Sequence, residues 1–196
     1  MSAFHPISRR RLLQFALAGA AGVSALGARA DEAAMPIVQQ TVLQETNTER
    51  WLEMFNIHTD ELLSLAYRDA AGFKPEALGQ FNWLLRDFRV DEQRNMDALL
   101  FDQLGDLALA AGVEPRFEII SGYRSPRTNA ALAEAGHGVA THSLHIEGKA
   151  IDVRLRGVGC DRLRDLALQM QRGGVGYYRN SDFVHVDTGH VRSWDG

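Results

Sequence analysis

The stretch that most constrains this chain runs from Ser143 to Asp152, S-L-H-I-E-G-K-A-I-D, and is answered downstream by D-F-V-H-V-D from Asp182 to Asp187. Within the first, Ala150 to Arg154 alternates in strand fashion, which places Asp152 on the face opposite Ile151 and Val153. A carboxylate flanked by core residues needs a partner, because burying it unpaired is costly. A metal would supply one, and so would Arg154 or Arg124. In the second, Val184 and Val186 share one face while Phe183, His185 and Asp187 share the other, so His185 points away from the core. Two histidines, His145 and His185, with Asp152 make the ligand set that a hydrolytic zinc ion takes when it keeps a fourth position for water. Asp187 is placed to orient His185 from behind.

The N-terminus reads as address rather than fold. Arg9 and Arg10 precede a weakly apolar run, Leu12 to Gly27, rich in Ala and Gly, and Ala28-Arg29-Ala30 offers small residues at a cleavage site. That combination predicts a twin-arginine export signal over residues 1–30 and a periplasmic destination. About 16 apolar residues fall short of the roughly 20 needed to span a bilayer, so no stable membrane insertion is expected after cleavage. Loss of Arg9, Arg10, Arg11 and Arg29 from 21 basic residues leaves 17 against 25 acidic ones, a net charge near −8. Such a chain lacks the basic footprint that nucleic acid calls for. The single cysteine, Cys160, excludes an intramolecular disulfide.

Residues 31–48 show no periodicity and read as a lead-in segment, leaving one domain over 49–196. Trp51–Ile57 and Leu62–Tyr67 predict a hairpin with His58 in its turn. Lys74-Pro75 opens a helix whose buried face is Leu78, Phe81, Leu84, Leu85 and Phe88. A second helix is expected with Asp91 as its N-cap, a stripe of Met96, Leu99, Leu100, Leu104, Leu107 and Leu109, and Gly112 as its stop. Phe117–Ser121 reads as a strand, and Ser125-Pro126 begins a short helix. Residues 136–141 form a glycine-rich loop, a candidate rim to the site. Asp161 is placed to cap a helix with Leu163, Leu166, Ala167 and Met170 buried, and Val175–Tyr178 with Phe183–Asp187 form a hairpin. The fold class is α+β: a small antiparallel sheet carrying the zinc site, packed against helices.

The pattern S-x-H-x-x-G-x-A-x-D, filled by Ser143, His145, Gly148, Ala150 and Asp152, resembles the signature of the zinc D,D-peptidase and Hedgehog-like superfamily. With S-G-Y-R-S from Ser121 and G-G-V-G-Y-Y from Gly173, it is most similar to the murein endopeptidase K branch, whose members are exported wall hydrolases. The resemblance spans about Trp51 to Trp194. It implies that His145, Asp152 and His185 bind Zn2+, that Arg124 stabilises the oxyanion of the attacked carbonyl, and that Asp182, three residues before His185, is the general base. His142 or His190 are the alternatives for that last role. It further implies peptidoglycan stem peptides as substrate and cross-link cleavage as the reaction. Trimming of stem ends by a D,D- or L,D-carboxypeptidase is a second reading, and a zinc-containing wall-binding domain without catalysis a third. A monomer is expected.

Overall fold

The structure is a computed structural model and describes residues 49–135, 140 and 142–196. The export signal and most of the lead-in segment lie outside the described residues, as do 136–139 and 141 of the glycine-rich loop. The order of elements is β1 (Arg50–Asn56), β2 (Glu61–Asp69), β3 (Gly72–Phe73), α1 (Pro75–Leu84), α2 (Ala98–Ala111), β4 (Arg116–Ser121), α3 (Pro126–Glu134), β5 (Ala150–Leu155), α4 (Cys160–Met170), β6 (Gly174–Tyr178), β7 (Phe183–Asp187) and β8 (Arg192–Asp195).

Period-two alternation drives the assembly. Leu52 and Met54, Phe117 and Ile119, Ile151 and Val153, Val175 and Tyr177, and Val184 and Val186 are buried in one continuous cluster with Phe81, Phe101, Leu104 and Leu163 from the helices. Burial of that apolar surface is the main favourable contribution to folding, at about 25 cal/mol per Å². The opposite face carries ion pairs toward one end, such as Arg154–Glu118 at 3.3 Å, and the chemistry-bearing residues toward the other.

The sheet has eight strands in the order β3-β2-β1-β4-β5-β7-β6-β8. The α+β class stands, but the antiparallel sheet expected from the sequence is instead mixed and larger. β1 pairs parallel with β4, and β6 with β8; the other pairings are antiparallel. Both parallel contacts follow from connections. Helices α1 and α2 carry the chain from β2 back over the core, so β4 enters beside β1 in the same direction. β7 already has β5 and β6 as neighbours, so the returning β8 passes beyond β6 and runs parallel to it.

The second helix begins later than the sequence indicated. Asp91 has φ 53° and sits in a turn; the N-cap is Asp97, whose carboxylate accepts from the Leu99 amide at 3.0 Å. Residues before it serve another purpose. Met96 N donates to Asn82 Oδ1 at 2.9 Å and Asp97 N to Gly148 O at 2.8 Å, bracing the loop that carries His145. Gly148 has φ 71°, and a Cβ there would lie 2.6 Å from Asn95 O, so both backbone conformation and space demand glycine. The helix itself buries Leu100, Phe101, Leu104 and Leu107, whereas Leu99 and Leu109 point outward, 59 % and 78 % exposed. In α4 the N-cap is Gly159, with Asp161 in the first turn rather than capping.

Asp97→Ala is expected to cost about 1–2 kcal/mol in urea denaturation, since it removes a cap and the 2.7 Å bond from Thr188 Oγ1. Asp91→Ala, which loses one exposed ion pair to Arg86, should stay within about 1 kcal/mol of the parent.

Candidate active site

Strand register sets the site. Ser121 of β4 faces Asp152 of β5, Asp152 faces His185 of β7, His185 faces Gly176 of β6, and Gly176 faces Trp194 of β8. One row of residues thus crosses five strands on the side away from the helices. Gly176 leaves a gap in that row which Trp194 fills: a Cβ at Gly176 would lie 2.6 Å from the indole ring. His145 arrives from the loop preceding β5. His145, Asp152 and His185 are all buried, and their ligand atoms lie within 4.8 Å of one another.

Hydrogen bonds assign the tautomers. His145 Nδ1 is 2.7 Å from the Gly122 carbonyl; an oxygen that can only accept requires the proton on Nδ1 and leaves the Nε2 lone pair free. His185 Nε2 is 3.1 Å from Asp187 Oδ2, so its proton is on Nε2 and the Nδ1 lone pair is free. These lone pairs face each other, Nε2 to Nδ1 3.2 Å, and Asp152 Oδ1 lies 2.8 Å from His185 Nδ1 and 3.3 Å from His145 Nε2. Ligands about 2.0–2.1 Å from a common tetrahedral centre stand about 3.3 Å apart. The donor set therefore fits a zinc-sized cation, with outer partners holding each imidazole as such centres require.

Without a cation the three acceptors need a proton between them. Burial opposes charge on His185, but the hydrogen bonds of Asp152 and Asp187 outweigh it and raise its pKa to about 9. Burial lowers that of His145, against the pull of Asp152. Burial would push Asp152 upward, yet the two histidines hold it well below the usual carboxylate range. Asp187 is held low in the same way, against burial, by His185 and Arg192.

Arg124 approaches the other oxygen of Asp152, Nη2 to Oδ2 3.7 Å. It is buried, anchored by Ser121 Oγ at 3.2 Å and Asn129 Oδ1 at 3.4 Å, and its buried Nε has no partner among the described residues. Of the two arginines weighed as partners for Asp152, Arg154 lies elsewhere: it pairs with Glu118 and donates to the backbone carbonyls of Ser181 and Asp182.

The three donors lie in a cavity of about 340 Å³ lined also by Arg124, His142, Tyr178, Phe183, Arg192 and Trp194. Asp182 is not brought to it. That residue sits in the β6–β7 turn with φ 52°, its side chain 72 % exposed and 3.6 Å from Arg154 Nε. It precedes β7, outside the strand's alternation, and its carboxylate, after burial, is the second influence that pushes the Cys160 thiol at the start of α4 up to about 12. His142 lines the cavity; His190 does not. Tyr178, Arg192 and Trp194 were missed from sequence. The signal for Trp194 was glycine at alternate positions of β6, Gly174 and Gly176, which leaves room for a neighbouring strand's side chains.

Fold and donors together define a three-ligand centre able to hold one divalent cation at the base of a solvent-reachable cavity, the arrangement of a metallohydrolase. The family model for the peptidoglycan L,D-endopeptidase MepK matches residues 44–194, and the chain belongs to that family. It is 39 % identical over 187 residues to the peptidoglycan L,D-endopeptidase MepK of Escherichia coli K12, covering 95 % of this chain and 97 % of that one. It is 41 % identical over 163 residues to a probable peptidoglycan L,D-endopeptidase MepK of Haemophilus influenzae, covering 82 % and 88 %. No solved structure matches this chain significantly.

Two measurements test the centre. The hydrogen bonds of Asp152 and Asp187 favour a proton on His185, and that proton must leave when a cation binds, so binding tightens as pH rises. Zinc titration calorimetry at pH 6, where a zinc-bound water of pKa about 7 keeps its protons, in buffers of different ionisation enthalpy, should show about one proton released per ion. Asp187→Asn offers one acceptor oxygen where two are used and should lower zinc affinity about 10- to 100-fold.

Proposed function

We propose that this chain is an exported, zinc-dependent peptidoglycan endopeptidase that hydrolyses peptide cross-links between stem peptides in the periplasm. The observation that carries this reading is the convergence of His145 Nε2, His185 Nδ1 and Asp152 Oδ1, with both outer N–H groups already committed, in a chain of the MepK family. The arginine pair Arg9-Arg10 and the small residues Ala28 and Ala30 support twin-arginine export. Among the described residues no helix is long and apolar enough to cross a membrane.

The protein's part in the reaction follows from its own groups. His145, Asp152 and His185 would hold a zinc ion, which would supply Lewis acidity and lower the pKa of a water toward about 7. Gly122 and Asp187 keep the two imidazoles in the required tautomers. Arg124 presents a fixed positive charge beside Asp152 and stabilises the negative charge that develops on the attacked carbonyl oxygen. Its immobility matters, since a preorganised donor needs no rearrangement as charge appears. The proton-transfer group is assigned to His142, because it lines the cavity while Asp182 faces Arg154 and Cys160. Its imidazole accepts a proton from the attacking water and returns it to the leaving amine.

Digestion of purified cross-linked muropeptides by the mature chain, residues 31–196, tests the proposal. Dimers should convert to monomers, and chelation or His145→Ala should abolish the conversion. His142→Ala should lower kcat about 10²–10⁴-fold with zinc content unchanged, whereas Asp182→Asn should lower it less than tenfold. Shortened stems on intact dimers would replace the endopeptidase reading with a carboxypeptidase. No product despite one bound zinc per chain would leave a wall-binding domain.

A further inference from the structure

The cavity contains a second guanidinium that none of the steps above uses. Arg192, on the edge strand β8, lines it with a side chain 43 % exposed. It is nonetheless held like a buried residue. Nη2 donates to Asp187 Oδ2 at 2.7 Å and Nη1 to Asp187 Oδ1 at 3.1 Å, and Nη1 also donates to the His190 carbonyl at 3.0 Å. The guanidinium lies over Trp194, 5.0 Å from the ring centroid. Trp194 is itself fixed by a 3.1 Å bond from Nε1 to Tyr178 Oη and by its packing on His185. A guanidinium has five N–H donors. These bonds occupy three, leaving Nε–H and one Nη2–H without a protein partner among the described residues.

Two unspent parallel donors on a fixed, weakly hydrated cation are the recognition element for a carboxylate. The surroundings point the same way. Among the described residues the cavity wall carries Arg124 and Arg192 against Asp152, with Asp187 behind it shared by Arg192 and His185, in a protein whose overall charge is negative. Arg192 and His185 share Asp187, so the free donors stand two hydrogen bonds from an imidazole of the cluster. At about 3.5 Å per peptide residue, that is within a residue or two of the carbonyl under attack.

We propose that Arg192 is the specificity residue of this cavity and binds a free carboxylate carried by the peptide next to the scissile bond. The proposal rests on the peptidase reading of the same site. The carboxylate belongs either to the α-centre of an internal diamino acid or to the end of a stem peptide, and substrates separate these sources. Three synthetic cross-linked peptides serve: one with both carboxylates free, one amidated internally, one amidated at the terminus. The wild-type enzyme should show KM raised about 10- to 100-fold by one of the amidations, which identifies the source. In Arg192→Gln that preference should collapse to within about twofold, and Arg192→Lys should restore part of it.

If Arg192 merely props Asp187, Arg192→Gln would slow all three substrates by the same factor and the preference would persist; that result overturns the proposal. Equal KM values for all three substrates with the wild type overturn it without any variant, so a poorly folded mutant does not shield it. If the wild type cleaves none of them, the peptidase reading fails separately. Calorimetry of the free and amidated peptides against the zinc-loaded wild type then decides the carboxylate claim, which falls if all bind alike.

Discussion

Everything at this site depends on the pairing of Asp152 with His185 across β5 and β7. A carboxylate of 5 % exposure and an imidazole of 7 % exposure are set side by side in an interior where neither would be stable alone. The register admits no half measure: a slip of either strand by one residue would turn its own ligand to the hydrophobic face and put a valine, Val153 or Val184, in the cavity. Packing of the valines and isoleucines on the helix side therefore fixes the polar cluster on the other. Stability and chemistry are coupled through that register.

Charge around the pair is arranged in two shells. Asp152 and Asp187 carry negative charge, Arg124 and Arg192 positive charge, and the two imidazoles lie between them. With neutral imidazoles the set balances, so a dication held by the three donors would make it net positive. Such a cavity would favour an anionic peptide, in a protein whose net negative charge would otherwise repel one.

Much of this was legible. Period two in Ile151–Val153 and Val184–Val186 gave the strand faces, and those gave the inward side of Asp152 and His185. The hairpins and most of α1 were legible for the same reason, since each has a local period and local turn residues; the expected face ran on to Phe88, but the helix stops at Leu84 with Leu85 as its cap. The start of α2 was not, because Asp91 has the composition of a cap while Asn82 and Gly148, distant in sequence, hold Met96 and Asp97 extended. Asp182 shows the converse difficulty. Its spacing from His185 fits a family position, but the backbone of a tight turn aims it away, and spacing does not encode φ. The parallel pairings were hidden because pairing direction depends on how the chain returns to the sheet.

That return explains where the wall residues come from. Because β7 is enclosed by β5 and β6, the last strand can join only beyond β6, and Trp194 then falls opposite Gly176 in the row that holds His185. Asp152 and His185 thus sit on strands with neighbours on both sides, where β5 and β7 are almost wholly buried, while His145 comes from the loop before β5. Arg192 and Trp194 sit on a four-residue edge strand that is mostly exposed, short enough to resist edge-to-edge pairing with another chain. A substitution in β5 or β7 disturbs the core and the metal donors together. One in β8 changes the cavity wall while the core face of the sheet keeps its packing. On the proposed reading, the topology separates the residues that would carry hydrolysis from those that would select what is hydrolysed, and it places the second on an exposed edge strand.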